Sequence, residues 1–86
     1  MAYQVILKPA ARRDIKKLAG PDQVRIIKRL ESLSENPRSF GAKKLRGAED
    51  LFRVREGNYR IIYQIQDEML LVLVVKVGHR REIYRR

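Results

Sequence analysis

The sequence contains no cysteine, which removes disulfide staples and thiolate metal sites together. It has one histidine, His79, too few to build a zinc centre, and we expect neither a metal nor a cofactor. No apolar run is long. The longest, Met69 to Val75, falls far short of the roughly 20 residues that cross a bilayer as a helix. Met1 leads straight into an amphipathic segment rather than a secretory leader, so a cytoplasmic location is expected. The phosphate loop GxxxxGK[ST], the dinucleotide fingerprint GxGxxG and the zinc-protease signature HExxH are all missing, and the chemistries they carry go with them. Acid is scarce too. Ten Asp and Glu stand against twenty Lys and Arg, a net charge of +10, which suits a nucleic-acid or other polyanionic partner. At 86 residues the chain has room for one domain, residues 1–86, with a small core.

What the sequence does have is concentrated in Leu51 to Gln66, LFRVREGNYRIIYQIQ. Arg53 and Arg55 alternate with Phe52 and Val54, and strand side chains point to opposite faces in turn. Glu56-Gly57-Asn58 has the composition of a tight hairpin turn. In the returning strand Tyr59, Ile61, Tyr63 and Ile65 share one face, and Arg60, Ile62 and Gln64 the other. Matching the apolar faces brings Arg53, Arg55 and Arg60 to one side of the sheet. Three guanidinium forks on a rigid platform suit phosphate.

The rest of the chain frames this hairpin. Tyr3, Val5 and Leu7 alternate as the inward residues of a first strand. Pro9 opens a helix carrying Ala11, Ile15 and Leu18, and Gly20-Pro21 closes it and opens the next. The second helix shows Val24, Ile26, Ile27, Leu30 and Leu33 at helical spacing and stops at Asn36-Pro37. Its basic residues Arg25, Lys28 and Arg29 read as solvated decoration. Arg38 to Asp50 reads as a loop holding Lys43, Lys44 and Arg46. Met69 to Val77 is apolar at both parities: Leu71, Leu73, Val75 and Val77 on one face, Leu70, Val72, Val74 and Lys76 on the other. The expected class is α+β, a helical hairpin packed on one face of a small antiparallel sheet in the order β-α-α-β-β-β. The opposite face should collect Arg53, Arg55, Arg60, Lys76 and Arg80.

Acid pairs such as Glu49-Asp50 and Asp67-Glu68 flank strands and read as turn formers. What remains is a basic face with His79 and Tyr84 near its rim. RNA cleavage suits such a site without metal, because the 2′-hydroxyl is itself the nucleophile. The protein has to orient it, take its proton and stabilise negative charge on phosphorus.

The segments Lys44-Leu45-Arg46-Gly47, Asp50-Leu51-Phe52-Arg53-Val54-Arg55 and Gly57-Asn58-Tyr59-Arg60-Ile61-Ile62-Tyr63, with Val77-Gly78-His79-Arg80 and Ile83-Tyr84, resemble the RelE/ParE superfamily of toxins. The resemblance runs the length of the chain and favours the RelE branch. It implies a type II toxin, a ribosome-dependent endoribonuclease that cuts mRNA in the decoding site and is held silent by a RelB-like antitoxin. It implies a hetero-oligomer with that antitoxin and no membrane partner. Arg53 and Arg55 match the family's paired basic positions, Arg60 its arginine after the hairpin, Arg80 its arginine after the last strand, and Tyr84 its late tyrosine. Some relatives carry Lys where Arg53 and Arg55 stand, and Arg cannot give up its proton. These positions therefore bind phosphate and do not serve as acid or base. Tyr84, His79 and Lys76 remain as proton acceptors, with Lys43, Lys44 and Arg46 as further phosphate contacts. The alternative within the superfamily is a ParE-type inhibitor of DNA gyrase without nuclease activity.

Overall fold

The computed structural model of the protein describes residues 2–39, 41–45, 47 and 50–79. Within them the chain runs β1 (Gln4–Leu7), α1 (Pro9–Lys16), α2 (Gly20–Glu35), β2 (Lys43–Lys44), β3 (Leu51–Glu56), β4 (Tyr59–Gln66) and β5 (Leu71–His79). The strands form one sheet in the order β1-β5-β4-β3-β2. Both helices pack on one face of it, burying Ala11, Ile15, Ile26, Leu30 and Leu33 against Val54, Ile61, Tyr63, Ile65, Val72, Val74 and Val77. The α+β class and the helical hairpin are as expected.

Two features of the sheet differ from the expectation. Lys43–Lys44 forms a short edge strand antiparallel to β3, inside the stretch read as loop. And β1 pairs parallel to β5, so the sheet is mixed. Alternation tells which residues share a face but not which way a neighbouring strand runs. Parallel pairing needs a long crossover, and everything from Lys8 to Leu70 supplies one.

The helices follow their sequence signals closely. Pro9 takes the first position of α1, where its missing N–H costs nothing, after an extended Lys8. Gly20 opens α2 rather than closing α1, and Pro21 follows in the first turn. Ile26, Leu30 and Leu33 make the buried stripe, whereas Val24 and Ile27 are 54% and 42% exposed.

A register shift in β5 decides the faces. Tyr63 pairs with Val74 but Ile62 with Lys76, so Val75 is an extra residue, a β-bulge. The bulge lets Val72, Val74 and Val77 all face the helices, where each is buried. Leu71 and Leu73 take the open face. The strict alternation expected for this strand, with Val72 and Val74 on the open face, is therefore corrected.

Polar ties fix the loops beneath the sheet. The Tyr63 hydroxyl donates to the Pro37 carbonyl at 2.7 Å in a fully buried setting, and burial pushes its pKa up to about 12. Arg38 forms a fork onto Asp67 at 3.0 and 2.8 Å, while the Tyr3 hydroxyl donates to the same carboxylate at 2.7 Å. The Ser34 hydroxyl donates to the Tyr3 carbonyl at 2.7 Å, tying the end of α2 to β1.

Candidate nucleic-acid interface

The β3–β4 hairpin closes through Gly57-Asn58. Gly57 has φ +62°, and a Cβ there would stand 3.2 Å from the Arg25 guanidinium. A positive φ at the first turn residue fits a type II′ turn, whose twist matches the strands it joins. That turn sets the register on which the site depends. Arg53 stands opposite Ile62 and Arg55 opposite Arg60, with Phe52 opposite Tyr63 and Val54 opposite Ile61 on the helix side. Since Val54, Ile61 and Tyr63 are buried under the helices, Arg53, Arg55 and Arg60 share the face that the helices leave open. Here the expectation and the structure agree.

Arg55 and Arg60 are direct cross-strand neighbours. Like charges in that position repel and weaken a sheet. An anion lying between or above them would reverse the sign of the interaction. Arg53 and Arg60 are half-buried and Arg55 is exposed.

The remaining candidates divide. Lys43 stands opposite Arg53 and extends the arginine row, whereas Lys44 stands opposite Phe52 and belongs to the other face. Lys76 stands opposite Ile62 on the arginine face, but its ammonium lies 3.7 Å from the Asp14 carboxylate. Asp14 also accepts the Val77 N–H at 3.0 Å, so α1 draws Lys76 toward the outer edge of β5. His79 stands opposite Tyr59 and meets its ring edge-on at 6.0 Å. Tyr59 packs against the core and donates to Asp22 at 3.1 Å, which puts His79 on the helix side, apart from the arginines. Arg46, Arg80 and Tyr84 lie outside the described residues.

One contributor was missed in the sequence. A cleft of about 470 Å³ is lined by Arg29, Ser39, Gly41, Lys43, Arg53 and Arg55. It brings Arg29 of α2 to the rim of the arginine face. The sequence signal was thin: Arg25 and Arg29 are one helical turn apart, but spacing alone does not say which strand they flank.

The far half of the open face is apolar. Ile6 stands opposite Leu73, and Leu73 opposite Gln64. Ile6 is 40% exposed. The uncovered patch thus consists of Ile6, Leu71 and Leu73, with the exposed Leu70 beside them, in place of Val72 and Val74.

Comparison with known proteins places these features. The family described as ParE toxin of type II toxin-antitoxin system, parDE, matches residues 5–84. The chain is 36% identical to toxin RelG of Mycobacterium tuberculosis over the full length of both. It is 35% identical to the mRNA interferase toxin RelE of Escherichia coli, across 98% of this chain and 92% of that one. Its backbone superposes on the RelBE2 toxin–antitoxin complex of Mycobacterium tuberculosis with a TM-score of 0.83 at 33% identity, covering 93% of this chain and all of that one. The intact Escherichia coli RelBE complex gives 0.79 at 32% identity, over 91% of this chain and 96% of that one.

Proposed function

The chain belongs to the RelE/ParE superfamily of type II toxins, on its RelE branch, and we propose on that footing that it cuts mRNA in the decoding site of the ribosome. The observation that carries the reading is the cross-strand pair Arg55 and Arg60, beside Arg53, on the face the helices leave open. Three fixed guanidinium groups can hold a phosphodiester and stabilise the extra charge that develops as its phosphorus becomes five-coordinate. The 2′-hydroxyl of the preceding nucleotide attacks and loses its proton to a base, the bond to the 5′ oxygen breaks with that oxygen taking a proton from water, and a 2′,3′-cyclic phosphate and a 5′-hydroxyl result. Arg60, at the centre of the face, contributes the donor to the transition state, while Arg53 and Arg55 hold the strand.

None of these arginines can take the proton. With His79 directed to the helix side and Lys76 drawn to Asp14, Tyr84 is the acceptor we favour, on its match to the family's late tyrosine. Arg80 joins it by the same match as a phosphate contact. The place of action is the cytoplasm, where the ribosomes are.

The partner that silences it is a RelB-like antitoxin, as in the toxin–antitoxin complexes of the relatives. The patch of Ile6, Leu71 and Leu73 next to the arginines suits an amphipathic segment with acidic side chains that meet the guanidinium groups.

Toeprinting of a translating ribosome tests the reading. Added protein should produce new 3′ ends within the decoding site, and Arg60→Ala should slow their appearance by on the order of 10²–10³ while ribosome binding at low salt persists. Intact mRNA together with inhibited DNA supercoiling would instead support the ParE-type, gyrase-directed alternative.

A further inference from the structure

We infer that the cleft between α2 and the β2–β3 edge is a second phosphate subsite, with Arg29 as its inner ligand, holding a non-scissile phosphodiester of the same RNA strand. This deepens the nuclease reading and rests on it.

The residues lining the cleft include four basic side chains and no acidic one among the described residues. A concave surface of one charge sign focuses its field and concentrates an anion far better than the same charges spread on a convex surface. Arg53 and Arg55 belong both to this cleft and to the hairpin face, so the two anion sites share a wall. A strand leaving the Arg55–Arg60 pair toward β2 runs over Arg53 and Lys43 and reaches Arg29 at the rim.

The local backbone is shaped around that guanidinium. Gly41 has φ +92°, and a Cβ built there would lie 3.4 Å from Arg29 Nη2 and 3.9 Å from Val54. The loop therefore passes within ordinary van der Waals reach of the Arg29 head, in a conformation that favours glycine. One turn earlier on α2, Arg25 sits over Gly57 at the hairpin turn. Arg25 and Arg29 thus lie along the hairpin-turn half of β3, a basic margin beside the open face. A repeating phosphate backbone matches such a margin better than the few carboxylates of a folded protein segment. An acidic peptide is nevertheless the competing occupant.

The probe is a 2′-O-methyl RNA tetranucleotide, which has no free 2′-hydroxyl and stays whole. It is titrated into the full chain while the Arg29 side-chain N–H and the Ser39 and Gly41 amides are followed by NMR. All three resonances should shift. Arg29→Gln should weaken binding roughly five- to tenfold and lower the slope of log K against log salt by about 0.7, one single-strand phosphate contact. Arg29→Lys should keep that slope, which separates charge from any effect on folding. Silent cleft resonances, an unchanged slope for Arg29→Gln, or a response to a glutamate peptide but not to RNA would each overturn the subsite. Cleft binding by a protein that leaves ribosomal mRNA whole would retain the subsite and sink the nuclease reading. Normal cleavage with a silent cleft would do the reverse.

Discussion

Replacing Arg55 with Gln should stabilise the fold and impair the function at once. Arg55 lies directly opposite Arg60 in the β3–β4 ladder, and Arg55→Gln removes one of two facing charges while leaving a polar, uncharged side chain two atoms shorter. Two unit charges ~7 Å apart in water repel by about 0.6 kcal/mol, inside the ~0.2–1 kcal/mol range of cross-strand pairs. In a domain this small each kcal/mol moves the midpoint by roughly 4–8 °C, so Tm should rise by about 2–5 °C at low salt. At 1 M salt the screening length falls to about 3 Å and the gain should vanish. Cleavage should move the other way. A hydrogen bond to a charged group contributes about 1.5–3 kcal/mol, so the rate should fall about 10- to 100-fold. Thermal unfolding by circular dichroism at two salt concentrations, alongside cleavage in a cell-free translation mixture, reads both effects. A lower Tm at low salt would refute the reasoning, because it would mean that Arg55 is held by an attractive partner in the free protein. A stability gain with undiminished cleavage would remove Arg55 from the phosphate site.

Other outcomes follow from the same contacts. Tyr63→Phe leaves the buried Pro37 carbonyl without its 2.7 Å donor and should cost about 1–2 kcal/mol, a fall in Tm of at least about 4 °C. Asp67 has its pKa held down to about 2, chiefly by the hydrogen bonds from Arg38 and then Tyr3. Its folded value lies below its ordinary 3.8, so its contribution is present above about pH 4 and is lost as the pH falls toward 2. Acid titration of Asp67→Asn should accordingly be flatter in that window than that of the parent. Tyr84→Phe should slow cleavage by about 10²–10⁴ with ribosome affinity kept, and the parent's rate should still be rising above pH 7.5. His79→Phe should leave the rate unchanged, and a loss there would return the proton to His79.

The arginine face was legible from the sequence because period-two alternation is a local property. Once Val54, Ile61 and Tyr63 are taken inward, Arg53, Arg55 and Arg60 have nowhere to point but outward. The helices were legible for the same reason, through Pro9, Pro21 and the Ile26–Leu30–Leu33 stripe. Three things were not. The bulge at Val75 exchanged the faces of β5, because one extra residue resets the alternation and no local signal in a run of Leu and Val marks where. The parallel pairing of β1 depends on how a crossover of more than sixty residues closes. Arg29 joined the basic cleft only because α2 packs over the outer edge of β3. The sequence by itself determined the elements, the faces of the hairpin and the net charge, all of which arise between near neighbours in the chain. Tertiary structure decided which distant residues complete the site, because strand direction, register and helix placement are set by packing a shared core.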